Sequence, residues 1–432
     1  MNKLNYSFWL LLATLVSASC FAHVDANQTK IDKTENKVGF NITLFSKTLN
    51  EHKKLQIYLP DSYDSSNKQY PVLYVFDSQR YFLHGITFQD TLVFQDKTPE
   101  AIVVGINTSG VEGQSFYTKK TTALTGFLQA ELIPFINKTY RVSEERLFFG
   151  WERAAGYGLE LIGKNPDLFS GYLLASPTLV FEERISAIEY QLKQQRLTDK
   201  FISFNLGAVE FWSIDSANLL NELFLEHAPY NAHWHFNILS KDDHYSTPLV
   251  TFNRGLQQYF SDYAPLRFYS IKEFNEYGGL SPLKQHYTQR GKRYGLPTEI
   301  HPDTKHYLLN QSLIENDIQS FQSLAREFAQ HLKQYNYSER WINKFGRFYL
   351  KHGKHDLAYK LFSEAKTKFK QSALIECAIA DSLFAIGDKH AADKHYQATI
   401  GLLSKLTANK ARSLKEEISH YSPNFSQFLK NN

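Results

Sequence analysis

Two kinds of apolar pattern divide the first half of the chain. Val38-Gly-Phe-Asn-Ile-Thr-Leu-Phe45 and the stretch from His52 to Leu59 alternate apolar and polar positions, which predicts two half-buried antiparallel strands. Tyr70-Pro-Val-Leu-Tyr-Val-Phe-Asp77 and Ala101-Ile-Val-Val-Gly-Ile106 are unbroken apolar runs, the pattern of strands covered on both faces. Between them, Gly85 to Phe94 reads as helix. The same alternation continues downstream. Leu124 to Ile136 predicts one helix with Pro134 near its end, and Leu147 to Phe149 a buried strand end. Gly171 to Pro177, Phe201 to Leu206 and Ala232 to Leu239 predict further strands. Helices are expected from about Gly156, over Phe181 to Thr198 and over Ser216 to Ala228. Buried strands alternating with helices give an α/β fold with a mostly parallel sheet flanked by helices.

From residue 266 the pattern changes to helical periodicity alone. Residues 266–335 read as a helical connector, broken at Gly278-Gly279 and Pro297. A repeat with period 34 follows: Gly353, Ala358 and Phe362 recur as Gly387, Ala392 and Tyr396. Phe345, Gly346, Tyr349, Ala358, Phe362 and Ala365 sit at the spacings of a tetratricopeptide repeat. Ile379, Ala380, Leu383, Ala392 and Tyr396 do so again, with Thr399 where the last small residue is expected and Lys370 where a repeat usually ends in Pro. Residues 336–425 are therefore expected to form an all-α domain of TPR-like helical hairpins, serving as a protein or peptide groove or as a helical cap.

Composition adds three limits. A net charge of +4 spread over 432 residues gives no nucleic-acid footprint. Met1 to Ala22 has Lys3, an apolar run from Phe8 to Val16 and small residues after it, as in a secretory signal peptide. Cleavage is expected after Ala22 or Ala26, lipid attachment at Cys20 is a weaker alternative, and the product is periplasmic or secreted. Residues 23–36 read as a polar, flexible lead-in, and no stretch reads as a transmembrane segment. Without the leader, Cys377 is the one cysteine, so no internal disulfide is expected.

The chemistry collects at the carboxyl ends of predicted strands, where open α/β sheets place their functional loops: Asp77, Glu152, Glu210 and His244 all fall there. The residues around them carry a resemblance. Pro71-Val-Leu-Tyr-Val-Phe-Asp77 with Tyr81-Phe82, Glu131-Leu-Ile-Pro-Phe-Ile136 with Tyr140-Arg141, and Arg146 to Gly156 form part of it. Pro166-Asp-Leu-Phe169 with Ser176-Pro177, and His244 with Gly255-Leu256, complete it. Residues 37–265 resemble the esterase D and enterochelin-esterase-like branch of the α/β-hydrolases. That resemblance implies a nucleophile elbow at Gly150-Trp-Glu-Arg-Ala-Ala155, with small residues at Gly150, Ala154 and Ala155. It implies His244 as the triad histidine and Glu210 as its acid, with Asp215 and Asp243 as rivals. The oxyanion donors would be the backbone N–H groups of Arg153 and of the loop near Ser78, where the family usually has Gly.

The nucleophile position is Glu152, where acyl transfer needs a serine. A carboxylate attacks an ester poorly and places negative charge where negative charge must develop. Pairing of Glu152 with His244 is the simplest expectation. The chain is thus expected to be an exported pseudo-esterase with a binding or scaffold role. The alternatives are a hydrolase that uses Glu152 or a displaced serine (Ser176 or Ser246), and a TPR-mediated interaction protein. A small ester-like ligand and a protein partner are both compatible with this reading. No cofactor or metal is indicated: His233 and His235 share a strand face without further ligands at metal spacing.

Overall fold

The unbroken apolar runs form the middle of an eight-stranded sheet in a computed structural model that describes residues 38–109, 113–334 and 337–431. The expected leader and the lead-in at 23–36 lie outside the described residues. The strands are β1 (Phe40–Ser46), β2 (Glu51–Tyr58), β3 (Tyr70–Phe76), β4 (Ile102–Ile106), β5 (Val142–Trp151), β6 (Gly171–Ala175), β7 (Phe201–Gly207) and β8 (His233–Leu239). Their order is β1-β2-β4-β3-β5-β6-β7-β8. From β4 to β8 every pairing is parallel, and β2 joins β4 antiparallel.

Helices α1 (Ser78–Phe94), α2 (Thr121–Phe127), α3 (Ile133–Thr139), α4 (Arg153–Lys164), α5 (Glu182–Lys193), α6 (Phe211–His227) and α7 (Thr247–Tyr259) link and cover the strands. Successive strand residues point to opposite faces, and both faces are filled. Tyr74, Phe76, Phe148, Tyr172 and Leu174 pack with residues of α2 to α6. Leu73, Val75, Leu147, Phe149 and Leu173 pack with α1 and α7, where the rings of Phe149 and Phe252 stack at 3.6 Å. Full burial of each such side chain contributes about 1.5–3 kcal/mol, which is why these strands read as continuous apolar runs.

Several expected boundaries move, among them the start of α1, which begins at Ser78 and not near Gly85. The helix predicted over Leu124 to Ile136 is interrupted by a π-helical turn at Leu128–Leu132. Pro134 has no N–H and its ring crowds the carbonyl four residues back, so the ladder widens ahead of it. The elbow helix begins at Arg153, not near Gly156, and α6 begins at Phe211, not Ser216. Both start directly after a candidate site residue.

From Asn41 the chain forms one compact unit. Its helical part comprises α8 (Ile271–Glu276), α9 (Leu280–Tyr294), α10 (Pro302–Ile314), α11 (Ile318–Glu327), α12 (Ala329–Gln334) and α13 (Glu339–Lys351). It continues with α14 (His355–Lys368), α15 (Ala373–Ile386), α16 (Lys389–Leu403), α17 (Ala408–Tyr421) and α18 (Pro423–Asn431). The 34-residue period reappears as repeated conformation. Gly353 (φ 69°) and Gly387 (φ 106°) follow α13 and α15 in backbone that favours glycine, while Ala358, Phe362, Ala392 and Tyr396 are fully buried. Phe321 of α11 packs on Phe345, Phe348 and Tyr349 of α13 at 5.7, 5.2 and 5.0 Å, so the connector and the first hairpin share a core. Against the sheet domain, Arg293 of α9 binds both Glu145 carboxylate oxygens (2.6 and 3.1 Å) and Asp262 (2.9 Å). Among the described residues no helix is long and apolar enough to cross a membrane.

Candidate active site

Glu152 is the single residue between β5 and α4, and it holds φ 54°, ψ −115°. This is strained backbone for any residue with a side chain, and it is imposed by tight packing around it. A Cβ on Gly150 would stand 2.7 Å from the Ala154 carbonyl carbon, and one on Gly156 only 2.0 Å from the Thr178 carbonyl oxygen. Ala154 and Ala155 are fully buried. The turn is fixed from both sides: Glu152 N–H donates to the Ala175 carbonyl (3.0 Å), and its own carbonyl accepts from Gly156 and Thr178. Its carboxylate, about one-third exposed, lies 3.7 Å from the Arg153 guanidinium.

Glu210 and His244 come together. Glu210 follows β7 at the mouth of α6, is fully buried, and accepts from His244 Nδ1 at 3.1 Å. It also accepts from Ser176 Oγ (2.6 Å) and from the Gly207 N–H (2.7 Å). Burial pushes the Glu210 carboxyl up, but the hydrogen bonds from His244, Ser176 and Gly207 outweigh it and leave it below the usual carboxylate range. Neither rival acid shows such a bond. Asp243 accepts from the N–H groups of Tyr245 and Ser246, and Asp215 lies on α6 with no hydrogen bond to His244. The expected pairing of Glu152 with His244 is not made either: among the described ion pairs His244 goes to Glu210 and Glu152 to Arg153. Glu210 takes Nδ1 of the imidazole, and the Glu152 carboxylate turns to the neighbouring guanidinium.

Ser78 and Arg153 each open a helix, α1 and α4, so their N–H groups lie outside the intrahelical ladder. The two helix starts are neighbours: Arg80 lies 5.5 Å from the Trp151 ring and Tyr81 packs on that ring at 5.8 Å. The Ser78 side chain is buried, turned down onto β4 at Gly105, where a Cβ would stand 2.7 Å from its own. Its bulk is therefore absorbed beneath the helix.

Neither alternative serine offers an open hydroxyl. Ser176 is fully buried and shared between Glu210 and Thr247, and Ser246 Oγ donates to Asp242 at 2.9 Å.

Two features were not read from the sequence. Asp77 takes a left-handed conformation (φ 53°) and accepts from Thr108 Oγ1 and from Tyr117 OH (3.2 Å). Burial outweighs these bonds and raises its carboxyl above the usual range. The other is aromatic. Trp151 donates from Nε1 to the His244 carbonyl (2.8 Å) and lies 5.0 Å from its ring. Trp212 and Tyr245, both exposed, flank the same imidazole at 5.9 and 5.4 Å. The sequence signal was Trp151 next to Glu152, but partners so distant in sequence leave no trace in local pattern.

Residues 46–222 match the profile of the family described as "Putative esterase". This segment is similar to that family and has an esterase-type α/β-hydrolase fold. The chain is 29% identical over 147 residues to the uncharacterized protein YjcH of Bacillus subtilis, a match covering 31% of this chain and 59% of that relative's length. The fold is similar to the crystal structure of an IroE-like serine hydrolase from Shewanella oneidensis, at TM-score 0.52 and 18% identity over 68% of this chain and 99% of that one. It is also similar to an uncharacterised protein from Capnocytophaga ochracea, at TM-score 0.53 and 18% identity. That match covers 88% of this chain and 99% of the other, and so extends well beyond the esterase domain.

Proposed function

We propose that the esterase domain is a binding module, a pseudo-esterase disarmed at one position. The observation that carries this reading is a carboxylate at the elbow: Glu152 holds φ 54°, ψ −115° at the strand–helix turn where this family presents its serine. The remaining parts needed for acyl transfer are compatible with an intact frame. An acid orients the histidine, and two helix starts adjoin the elbow. What is missing is a neutral hydroxyl that the histidine can deprotonate. A carboxylate there would form an anhydride on attack, and its charge opposes the oxyanion. The module would keep a pocket for an ester-like small molecule and release it unchanged.

The test is hydrolysis of a p-nitrophenyl ester series by the wild type, Glu152→Ser and Glu152→Ser/His244→Ala. The expected result is a silent wild type, with turnover about 10²-fold or more above background in the single variant and lost again in the double. Wild-type turnover that disappears in Glu152→Ala would make the carboxylate itself the catalyst and end the pseudo-esterase reading.

A further inference from the structure

A groove of about 660 Å³ lies in the helical region, away from the elbow. One wall is the stripe Ala325, Ala329 and Leu332 across α11 and α12; the other is Leu357, Leu361 and Ala365 on α14. Ile342 and Tyr349 of α13 also line it. The α14 stripe recurs every four residues, and the other steps by four and then three across the α11–α12 junction, the pattern of a helix face that meets another helix. Yet Leu357 is 39% exposed and Ala329 is exposed, so among the described residues no helix closes the two faces. Among the described lining residues four are cations, Arg326, Lys333, Lys360 and Lys368, against one carboxylate, Glu364. Lys333 spends part of its charge on Glu364 at 3.5 Å.

We propose that this groove docks an acidic amphipathic helix of a protein partner. A helix satisfies its own backbone hydrogen bonds and can therefore lie in an apolar groove, whereas an extended peptide would need a sheet edge to pair with. The α14 stripe from Leu357 to Lys368 runs roughly 16 Å, three turns of helix. The small side chains Ala325, Ala329 and Ala365 allow close approach of the helix axes. The charges select acidity. They are spread along both walls, not gathered at one end as a single anionic headgroup would require, so glutamates on both flanks of the incoming helix meet them. One of those glutamates would take the place of Glu364 at Lys333.

The experiment uses the full chain and a fluorescent peptide of about fourteen residues, with leucines along one face and glutamates on both flanks. A second peptide has lysines in place of the glutamates. Anisotropy is read for wild type, Leu361→Glu and Lys360→Glu/Lys368→Glu, each first shown by circular dichroism to melt like the wild type. Expected are saturable binding of the acidic peptide, at least tenfold weaker binding of the basic one, and at least a tenfold loss in both variants. Equal binding of the two peptides, no saturation, or full binding by Leu361→Glu would each overturn the proposal. So would wild-type self-association in sedimentation, or capture by phosphatidylglycerol vesicles, that Leu361→Glu abolishes. The first would assign the groove to a second copy and the other to a membrane.

Discussion

Glu210 Oε2 stands 3.1 Å from Nδ1 of His244 while the other oxygen of the same carboxylate takes a hydroxyl from Ser176 and an N–H from Gly207. One buried group therefore joins the ends of β6, β7 and β8. Because its carboxyl is held below the usual range, its contribution to stability is complete above the unfolded carboxyl's value, about 4.3. That contribution is lost as pH falls through the folded value. Glu210→Gln is expected to cost roughly 1–3 kcal/mol at neutral pH, with the penalty shrinking on acidification. Urea unfolding at several pH values reads this directly, and a constant penalty down to about pH 3 would contradict it.

The strain at Glu152 can be measured separately from its chemistry. Backbone in that region costs about 1–3 kcal/mol for a residue with a Cβ, and glycine gives back about 0.5–1 kcal/mol through the unfolded chain. Glu152→Gly is expected to raise stability by roughly 1 kcal/mol, and Glu152→Ser to leave it nearly unchanged because it keeps the same backbone. Thermal melts of the two variants decide the matter. A destabilised glycine variant would mean that the side chain of Glu152 holds the turn.

How much of this was legible in the sequence depends on range. The strands could be read because residues such as Val72 to Phe76 are buried on both faces, which forces an apolar run that no other demand interrupts. Small residues around Glu152 could be read because the elbow is a local steric object. The acid was left open among Glu210, Asp215 and Asp243, since a contact between β7 and the loop after β8 has no local signature. The Trp151–His244 contact escaped for the same reason, and the pairing of Glu152 with His244 was wrongly expected because the Glu152 carboxylate turns to the adjacent Arg153 instead. In the helical region the 34-residue period was visible because the two hairpins bury the same small and aromatic positions, Ala358 with Phe362 and Ala392 with Tyr396.

The helices of the first hairpin pack closely at Gly346, where a Cβ would lie 2.0 Å from the Phe362 ring. Gly346→Ala is expected to destabilise the helical region by roughly 1–3 kcal/mol through overpacking. Phe362→Leu in the same chain should recover part of the loss. Denaturation followed by circular dichroism tests both, and an alanine variant as stable as wild type would mean the ring has room to turn.

Arg293 carries much of the polar contact between the esterase domain and α9, and it is still about one-third exposed. Replacement by Ala is expected to cost roughly 1–3 kcal/mol, less at high salt because exposed pairs are screened. Its local signature is faster proteolysis between the Asp262 loop and α9, since local opening governs such cleavage. Unaltered proteolysis would place the strength of the seam in its aromatic contacts, such as Tyr263 on Tyr294 at 5.0 Å.

Ser78 and Gly105 occupy one small volume between α1 and β4. With no side chain on the strand at that point, the helix carries a hydroxymethyl group and still seats against the sheet. A chain with any Cβ at 105 would need glycine at 78, and Phe82, 2.8 Å from that Cβ, turned aside. The two positions are therefore sterically coupled, and the route between their two states has an order. The side chain at 78 has to leave before one at 105 can arrive.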